Sequence, residues 1–244
     1  CAEIVTRGKR VAGANVDEFL SYAESKFTQL AESRITTGLI PSAQVVRETI
    51  LDLEKIFQNP GKITGIPSGF TDLDKLLSGF NKSDLIILAA RPSMGKTALA
   101  VNMAVNACEY LKRLNTNDNS VSRAVGYFSL EMSAEQLASR ILAMYSNINS
   151  YSLRSGFLNE KDFEKIIAAN TALQDMQLFI DDTPALSIAA IRTRARRLKR
   201  RHNISILFID YLQLVRSVSR NKDLNRVNEV SEITQGLKAI AKEL

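Results

Sequence analysis

From Ile63 onward, short and wholly apolar runs alternate with longer segments whose apolar residues follow the period of an α-helix. A short apolar run without polar alternation is typical of a strand that is buried on both faces. Such strands are predicted at residues 85–89, 124–130, 177–180 and 204–209. Helices are predicted at 96–114, 133–148, 159–176, 187–202 and 227–244. This alternation predicts an α/β fold with a mainly parallel sheet flanked by helices.

Residues 1–60 follow helical periods and contain no catalytic motif. One helix is predicted at 16–31 and another at 42–58. The second has a narrow apolar stripe, which suits packing on another helix, in the same chain or in another subunit. The stripe consists of Val46, Ile50, Leu53 and Phe57.

Composition excludes several classes of protein. The 244 residues are 45% apolar and 24% charged, enough to bury a substantial core. The two cysteines, Cys1 and Cys108, exclude a disulfide framework, and the single histidine, His202, excludes a His-rich metal site or a His-based triad. No apolar run approaches the ~20 residues of a membrane span, and no export leader opens the sequence. We therefore expect a cytoplasmic protein that does not contact a membrane.

The formal charge of +6 is concentrated in one predicted helix. Removing the seven basic residues within 192–201 leaves −1 for the rest of the chain, so the charge is a local feature. Two interpretations stay open: a helix with a solvated outer face, which we favour, or a surface that binds phosphates. The seven are Arg192, Arg194, Arg196, Arg197, Lys199, Arg200 and Arg201.

Three further features have mainly structural interpretations. Asp181 and Asp182 form either a paired-carboxylate site or, as we favour, a cap for the following helix. Cys108 is expected to be a small residue of the core. His202, at the end of the basic helix, is expected to interact with the helix dipole.

The strongest chemical signal is the loop at 90–97, between a predicted strand and a predicted helix. It fits the phosphate-binding pattern G-x-x-x-x-G-K-[ST], with Ala90 in place of the first glycine. In such a loop, backbone N–H groups bind phosphate oxygens, Lys96 reaches the β and γ phosphates of ATP, and Thr97 holds Mg²⁺. An accidental match is the alternative, but the flanking strand and helix favour function. The loop consists of Ala90, Arg91, Pro92, Ser93, Met94, Gly95, Lys96 and Thr97.

Two carboxylates follow predicted strands. Asp210 ends the strand "LFID", where it can hold Mg²⁺ beside the loop, although strands also end in Asp for turn formation. Glu131 follows the strand "YFSL", where it can orient and deprotonate the water that attacks the γ-phosphate. The alternative for Glu131 is a charge that a helix N-terminus favours. The neighbouring motifs favour function for both residues.

The segments "GFNKSDLIILAARPSMGKTALA", "FSLEMSAEQLASR", "FIDDTPALSIAAIRTRARRLK", "LFIDYLQL" and "EVSEITQGLKAIAKEL" together resemble the DnaB-type replicative DNA helicases of bacteria. The resemblance covers about residues 63–244. It implies a RecA-like P-loop NTPase core that acts as a hexameric ring and translocates on single-stranded DNA, usually 5′ to 3′. It also implies that Lys96 and Thr97 contact nucleotide and Mg²⁺, that Glu131 is the catalytic base, and that Asp210 is the second Mg²⁺ contact.

The same resemblance implies an organisation in three parts and a set of partners. Residues 1–40 resemble a remnant of the N-terminal collar domain, 41–60 the linker helix, and 61–244 a RecA-like ATPase domain that is incomplete at its C-terminus. The γ-phosphate sensor, the DNA-contacting loops and the arginine finger are expected beyond Leu244. Primase and a helicase loader are expected as partners at the replication fork on the bacterial nucleoid. The alternative is a non-motor RecA-like ATPase, a nucleotide-switched assembly or recombination factor.

Overall fold

A computed structural model describes residues 40–58, 61, 63–91, 93–117, 122–215 and 226–244. The chain divides into two units, Cys1–Pro60 and Gly61–Leu244. The predicted helix at 16–31 and the loop residue Pro92 lie outside the described residues. No described helix is long and apolar enough to cross a membrane.

The helix predicted at 42–58 is confirmed as α1, Ser42–Gln58. The backbone N–H of Gln44 donates to the carbonyl oxygen of Pro41 at 2.9 Å, so the helix begins directly after a proline. The side chains of the apolar stripe are exposed, and Phe57 is the most exposed of them at 87%. The stripe is therefore accessible within this unit, and what it packs on stays a prediction.

The second unit is built on three described strands: β1, Ala124–Ser129; β2, Leu178–Asp181; and β3, Ile204–Asp210. Their order is β2-β1-β3, and both pairs are parallel.

All six residues of β1 are buried, as expected for a central strand that is covered on both faces. The register sets Ser129 opposite Asp210 and Phe128 opposite Asp181, so the three carboxyl ends lie at one edge. The predicted parallel α/β fold is confirmed.

Helices cover both faces of this sheet. They are α2, Thr71–Leu77; α3, Lys96–Asn117; α4, Ala134–Ser146; α5, Ser150–Ser155; α6, Glu160–Gln174; α7, Ile188–His202; and α8, Arg226–Glu243. One apolar cluster joins α3 and α4 to the sheet around Val105 and Tyr127. A second cluster joins α7 and α8 to the opposite face around Phe128 and Ile191. Tyr127 and Phe128 belong to different clusters because successive side chains of a strand point to opposite faces.

Two helix starts carry the caps that the sequence predicts. Ser133 accepts from the backbone N–H of Gln136 at 3.2 Å, and the Gln136 side chain accepts from the backbone N–H of Ser133 at 3.2 Å. Asn159 and Asp162 make the same reciprocal pair at the start of α6. Each pair satisfies two N–H groups that have no partner inside the helix, which fixes where α4 and α6 begin.

The prediction of a strand at 85–89 is wrong: this described stretch has no regular secondary structure, and none of the described strands pairs with it. Its central side chain, Ile87, is 62% exposed, and only Leu85 packs on a core cluster. An apolar run indicates that a segment prefers burial, whereas a strand also requires a neighbour that accepts and donates its backbone hydrogen bonds.

The prediction that the basic helix has a solvated outer face is also corrected, because four of its seven cations bind inside the fold. Arg192 and Arg196 both pair with Glu243, which ties α7 to α8; the Arg192 Nε–Glu243 Oε2 distance is 2.7 Å. Arg194 donates from Nη1 to both carboxylate oxygens of Asp181, at 2.8 and 2.6 Å. The fourth, Lys199, donates to the carbonyl oxygen of Ile204 at 2.9 Å. The helix is therefore neither wholly solvated nor wholly available to phosphates.

The two aspartates before α7 have separate roles, and neither caps that helix. Asp181 pairs with Arg194, and Asp182 accepts from the backbone N–H of Ala134 at 2.8 Å, at the start of α4. The N-cap of α7 is Ser187, whose hydroxyl accepts from Ala190 N at 3.2 Å. The alternative of a paired-carboxylate site is wrong as well, because each carboxylate binds its own partner.

Cys108 and His202 both pack inside the second unit. Cys108 is buried, as predicted, and burial followed by the charge of Glu109 raises the pKa of its thiol to about 12. This raised pKa keeps the Cys108 thiol protonated and unreactive.

His202 stacks on Phe179 with ring centroids 3.9 Å apart, a packing role that the sequence did not predict.

The link between α7 and α8 yields a stability prediction. Glu243→Ala leaves the partly buried guanidinium groups of Arg192 and Arg196 without their shared carboxylate, so we expect the free energy of unfolding to fall by about 1–3 kcal/mol. Asp175→Ala breaks an exposed pair with Lys112, at 3.2 Å, and is expected to lose less than about 1 kcal/mol. Urea unfolding of both variants checks this, and equal losses would contradict it.

Candidate functional site

The loop that precedes α3 turns through two left-handed residues. Ser93 has φ 65° and Gly95 has φ 84°, and the backbone N–H of Met94 donates to the carbonyl oxygen of Arg91 at 3.3 Å. A Cβ added at Gly95 would meet no heavy atom within 4 Å, so the turn borders open space. Left-handed residues in a turn orient successive N–H groups to one side, as anion-binding loops do.

Lys96 is the first residue of α3, and its side chain reaches the end of β3. Its Nζ lies 3.3 Å from Oδ1 of Asp210 and 4.0 Å from the centroid of the Tyr211 ring. The ammonium group therefore has a carboxylate and an aromatic face as partners. Thr97 follows as the second residue of the helix and is partly buried.

Asp210 is the last residue of β3, and its carboxylate is held almost out of water, at 6% exposure. Lys96 faces its Oδ1, and the hydroxyl of Tyr127 donates to its Oδ2 at 3.4 Å. Burial, followed by the negative charge of Asp210, raises the pKa of the Tyr127 phenol, so that phenol stays protonated and remains a donor. The two oxygens of one carboxylate thus have two different partners.

Glu131 lies at the same edge of the sheet, two residues beyond the end of β1. The backbone N–H of Leu130 donates to the carbonyl oxygen of Asp210 at 2.8 Å, which extends the β1–β3 pairing to the residue before Glu131. The hydroxyl of Ser129 donates to the carbonyl oxygen of Met132 at 2.7 Å and so fixes the turn around Glu131. The Glu131 side chain is exposed.

The structure brings Lys96 and Asp210 into contact and sets Glu131 and Thr97 at the same edge of the sheet. Sequence reasoning missed Tyr127 and Tyr211. Tyr127 did carry a signal, because a phenol inside an otherwise apolar strand requires a hydrogen-bond partner for its buried hydroxyl.

The donors at this edge fit Mg²⁺ bound together with phosphate. Thr97 and Asp210 offer oxygen atoms, the ligand type that Mg²⁺ prefers. The described residues contain no group of three or more His, Cys, Asp or Glu side chains that could hold a metal ion without other ligands. Mg²⁺ ordinarily takes one or two protein carboxylates and completes its coordination with water and phosphate oxygens.

Comparison with known proteins identifies the fold. A sequence model of the DnaB-like helicase C terminal domain matches residues 65–244. The chain is similar to the replicative DNA helicase DnaB of Rickettsia typhi, with 51% identity over 228 residues, which is 93% of this chain and 46% of the relative. It is also similar to the replicative DNA helicase DnaC of Bacillus subtilis, with 42% identity over 94% of this chain and 48% of the relative.

Solved structures support the same assignment. One solved ATPase domain superposes with a TM-score of 0.71 at 32% identity, over 82% of this chain and 67% of that one. A DnaB-like replicative helicase, solved with regard to its interactions with primase, gives 0.69 at 28% identity over 99% of this chain and 53% of that one. The chain spans about half the length of the curated relatives it matches. By its sequence and its fold, the chain belongs to the family of DnaB-like helicase C-terminal domains, whose ATPase fold implies nucleotide binding.

Proposed function

We propose that this chain is the motor region of an ATP-dependent replicative DNA helicase, which unwinds duplex DNA as a hexameric ring that translocates on single-stranded DNA. The observation that carries the proposal is the 3.3 Å pairing of Lys96 with Asp210 beside a loop with two left-handed residues. A lysine and an aspartate in this relation to a loop and a helix N-terminus suit phosphoryl transfer from ATP. The identities of the relatives point to the same activity.

Each residue of the site has a proposed role. The backbone N–H groups of the loop, to which Pro92 contributes none, bind phosphate oxygens, and Lys96 binds the β and γ phosphates. Thr97 and Asp210 hold Mg²⁺, which supplies positive charge to the phosphate oxygens when it is bound. Glu131 orients and deprotonates the attacking water, a role that its exposure at the carboxyl edge of the sheet supports.

The proposal extends to domains and partners. Residues 1–40 belong to a collar domain, 41–60 form the linker helix, and 61–244 are the ATPase domain. The exposed stripe on α1 supports docking on a neighbouring subunit. Because one similar helicase structure concerns interactions with primase, we propose primase as a partner, together with a helicase loader, at the replication fork on the bacterial nucleoid.

A strand-separation assay distinguishes this motor from a nucleotide-switched assembly or recombination factor. Forked DNA is incubated with the longest natural protein that contains this sequence, in the presence of Mg²⁺ and ATP. Separation that depends on ATP hydrolysis supports the helicase, whereas turnover without separation supports the switch.

The first functional prediction concerns Lys96. Lys96→Ala removes the ammonium group that is proposed to bind phosphate, and we expect the affinity for Mg·ATP to fall about 10- to 100-fold. Lys112→Ala is the matched control, because it removes an exposed lysine from the same helix, where the partner is Asp175. Titration with a fluorescent nucleotide measures the affinity of both variants, and equal affinities would contradict the role proposed for Lys96.

The second concerns the turn. Gly95→Ala places a methyl group in the open space beside the loop and forces alanine to φ 84°, so we expect weaker nucleotide binding and a stability loss of about 1 kcal/mol. Gly156→Ala is the control: its φ is 76°, and an added Cβ there also meets no heavy atom within 4 Å. Both variants should lose similar stability in urea. The proposal fails if both keep the same nucleotide affinity.

The third concerns α1. Ile50→Ser with Leu53→Ser removes two apolar side chains from the stripe, each worth about 1.5–3 kcal/mol when it is buried in an interface. We expect the oligomer of the double variant to dissociate at a higher protein concentration than that of the unsubstituted chain, while the ATPase domain stays folded. Leu51→Ser is the control, because Leu51 is exposed but lies off the stripe. Light scattering that shows an intact oligomer in the double variant would mean that the stripe packs within its own chain.

A further inference from the structure

The buried hydroxyl of Tyr127 sits against the carboxylate that is proposed to hold Mg²⁺. It donates to Oδ2 of Asp210 at 3.4 Å, while Oδ1 faces Lys96 at 3.3 Å. The proposed role of Asp210 accounts for the lysine but not for the phenol. A buried apolar strand does not require a tyrosine at this position, since packing alone is satisfied by any large apolar side chain.

Packing fixes the position of the Tyr127 hydroxyl. The side chain is 1% exposed, and its ring stacks on Phe208, with centroids 5.9 Å apart and an angle of 13° between the planes. Phe208 is in turn held edge-on by Phe80, at 6.4 Å and 86°. A ring packed in this way keeps one orientation, so its hydroxyl remains beside Oδ2 of Asp210.

The second partner of the carboxylate is not fixed in the same way. The Lys96 side chain is 25% exposed and ends in a compact charge on a flexible four-carbon stem. Phosphate oxygens compete for that ammonium group when nucleotide binds. Of the two side chains among the described residues that bind the Asp210 carboxylate, only Tyr127 is therefore held independently of the ligand.

We propose that Tyr127 is a positioning residue: its hydroxyl holds Oδ2 of Asp210, so that Oδ1 stays directed toward the phosphate side of the site and available to Mg²⁺. This inference rests on the proposed function, because it requires Asp210 to be a Mg²⁺ contact. Without the hydroxyl, the carboxylate rotates more freely and either oxygen pairs with Lys96. Mg²⁺ must then order the group as it binds, which weakens its binding.

The test compares two tyrosine variants in the 244-residue chain. Tyr127→Phe keeps the stacked ring and removes the hydroxyl. Tyr145→Phe is the matched control, because it removes another phenol that donates to a carboxylate, that of Glu109, away from the loop. Binding of a fluorescent ATP analogue is measured without divalent ions, in EDTA, and then across a Mg²⁺ titration.

We expect Tyr127→Phe to raise the half-saturating Mg²⁺ concentration about three- to tenfold. A loss of this size is expected for one long hydrogen bond to a charged group. Its affinity for nucleotide in EDTA should be unchanged, since the contact acts on the metal ligand. Tyr145→Phe should match the unsubstituted chain in both measurements. A purely structural role of the Tyr127 hydroxyl would lower the stability of Tyr127→Phe without changing its Mg²⁺ dependence.

Several results would overturn the inference: an unchanged or lower half-saturating Mg²⁺ concentration in Tyr127→Phe, an equal shift in Tyr145→Phe, or loss of the cooperative thermal transition in Tyr127→Phe. The last would show that the hydroxyl is needed for folding. Failure of the proposed function gives a different result, because nucleotide binding by the unsubstituted chain would then be independent of Mg²⁺ and of Lys96.

Discussion

A carboxylate buried at the end of β3 sets the arrangement of the site. Asp210 is 6% exposed, and a negative charge removed from water to this extent must be compensated by hydrogen bonds or by an opposite charge. Lys96 supplies the charge and Tyr127 supplies a hydrogen bond. Because these two residues belong to α3 and β1, compensation of one charge joins both elements to β3, whose Asp210 lies 83 residues beyond Tyr127. The loop before α3 is held at the edge of the sheet by the same contact.

The alternation of side chains between the two faces of a strand explains why these residues meet. Tyr127 on β1 and Phe208 on β3 face α3, whereas Phe128 and Ile209 face α7 and α8. Asp210, two residues beyond Phe208, therefore points to the side on which Lys96 begins α3. Parallel pairing in register then brings the end of β1, with Glu131 after it, to the edge where β3 ends. The crevice beyond the carboxyl ends of parallel strands is where α/β proteins bind nucleotides.

The sequence was sufficient where local rules decide the structure, and insufficient where long-range partners decide it. The starts of α4 and α6 followed from caps a few residues apart, and the buried strand β1 followed from its apolar run. The segment at 85–89 is as apolar as β1, but strand pairing depends on a neighbour that composition does not reveal. Lys96 and Asp210 were predicted from their motifs, whereas Tyr127 was missed because its partner lies 83 residues further along the chain.

The arginines of α7 and the lysine at the edge of the sheet hold their carboxylates in different ways. Three arginines of α7 bind carboxylates in the fold: Arg194 reaches both oxygens of Asp181, and Arg192 and Arg196 share Glu243. A planar guanidinium with several fixed donors is suited to such permanent pairs. At the edge of the sheet the cation is instead a lysine, whose single mobile charge can transfer from one anion to another. A basic segment is thus not evidence of a binding surface by itself; the more informative observation is a lysine paired with a carboxylate beside a loop that can accept a competing anion.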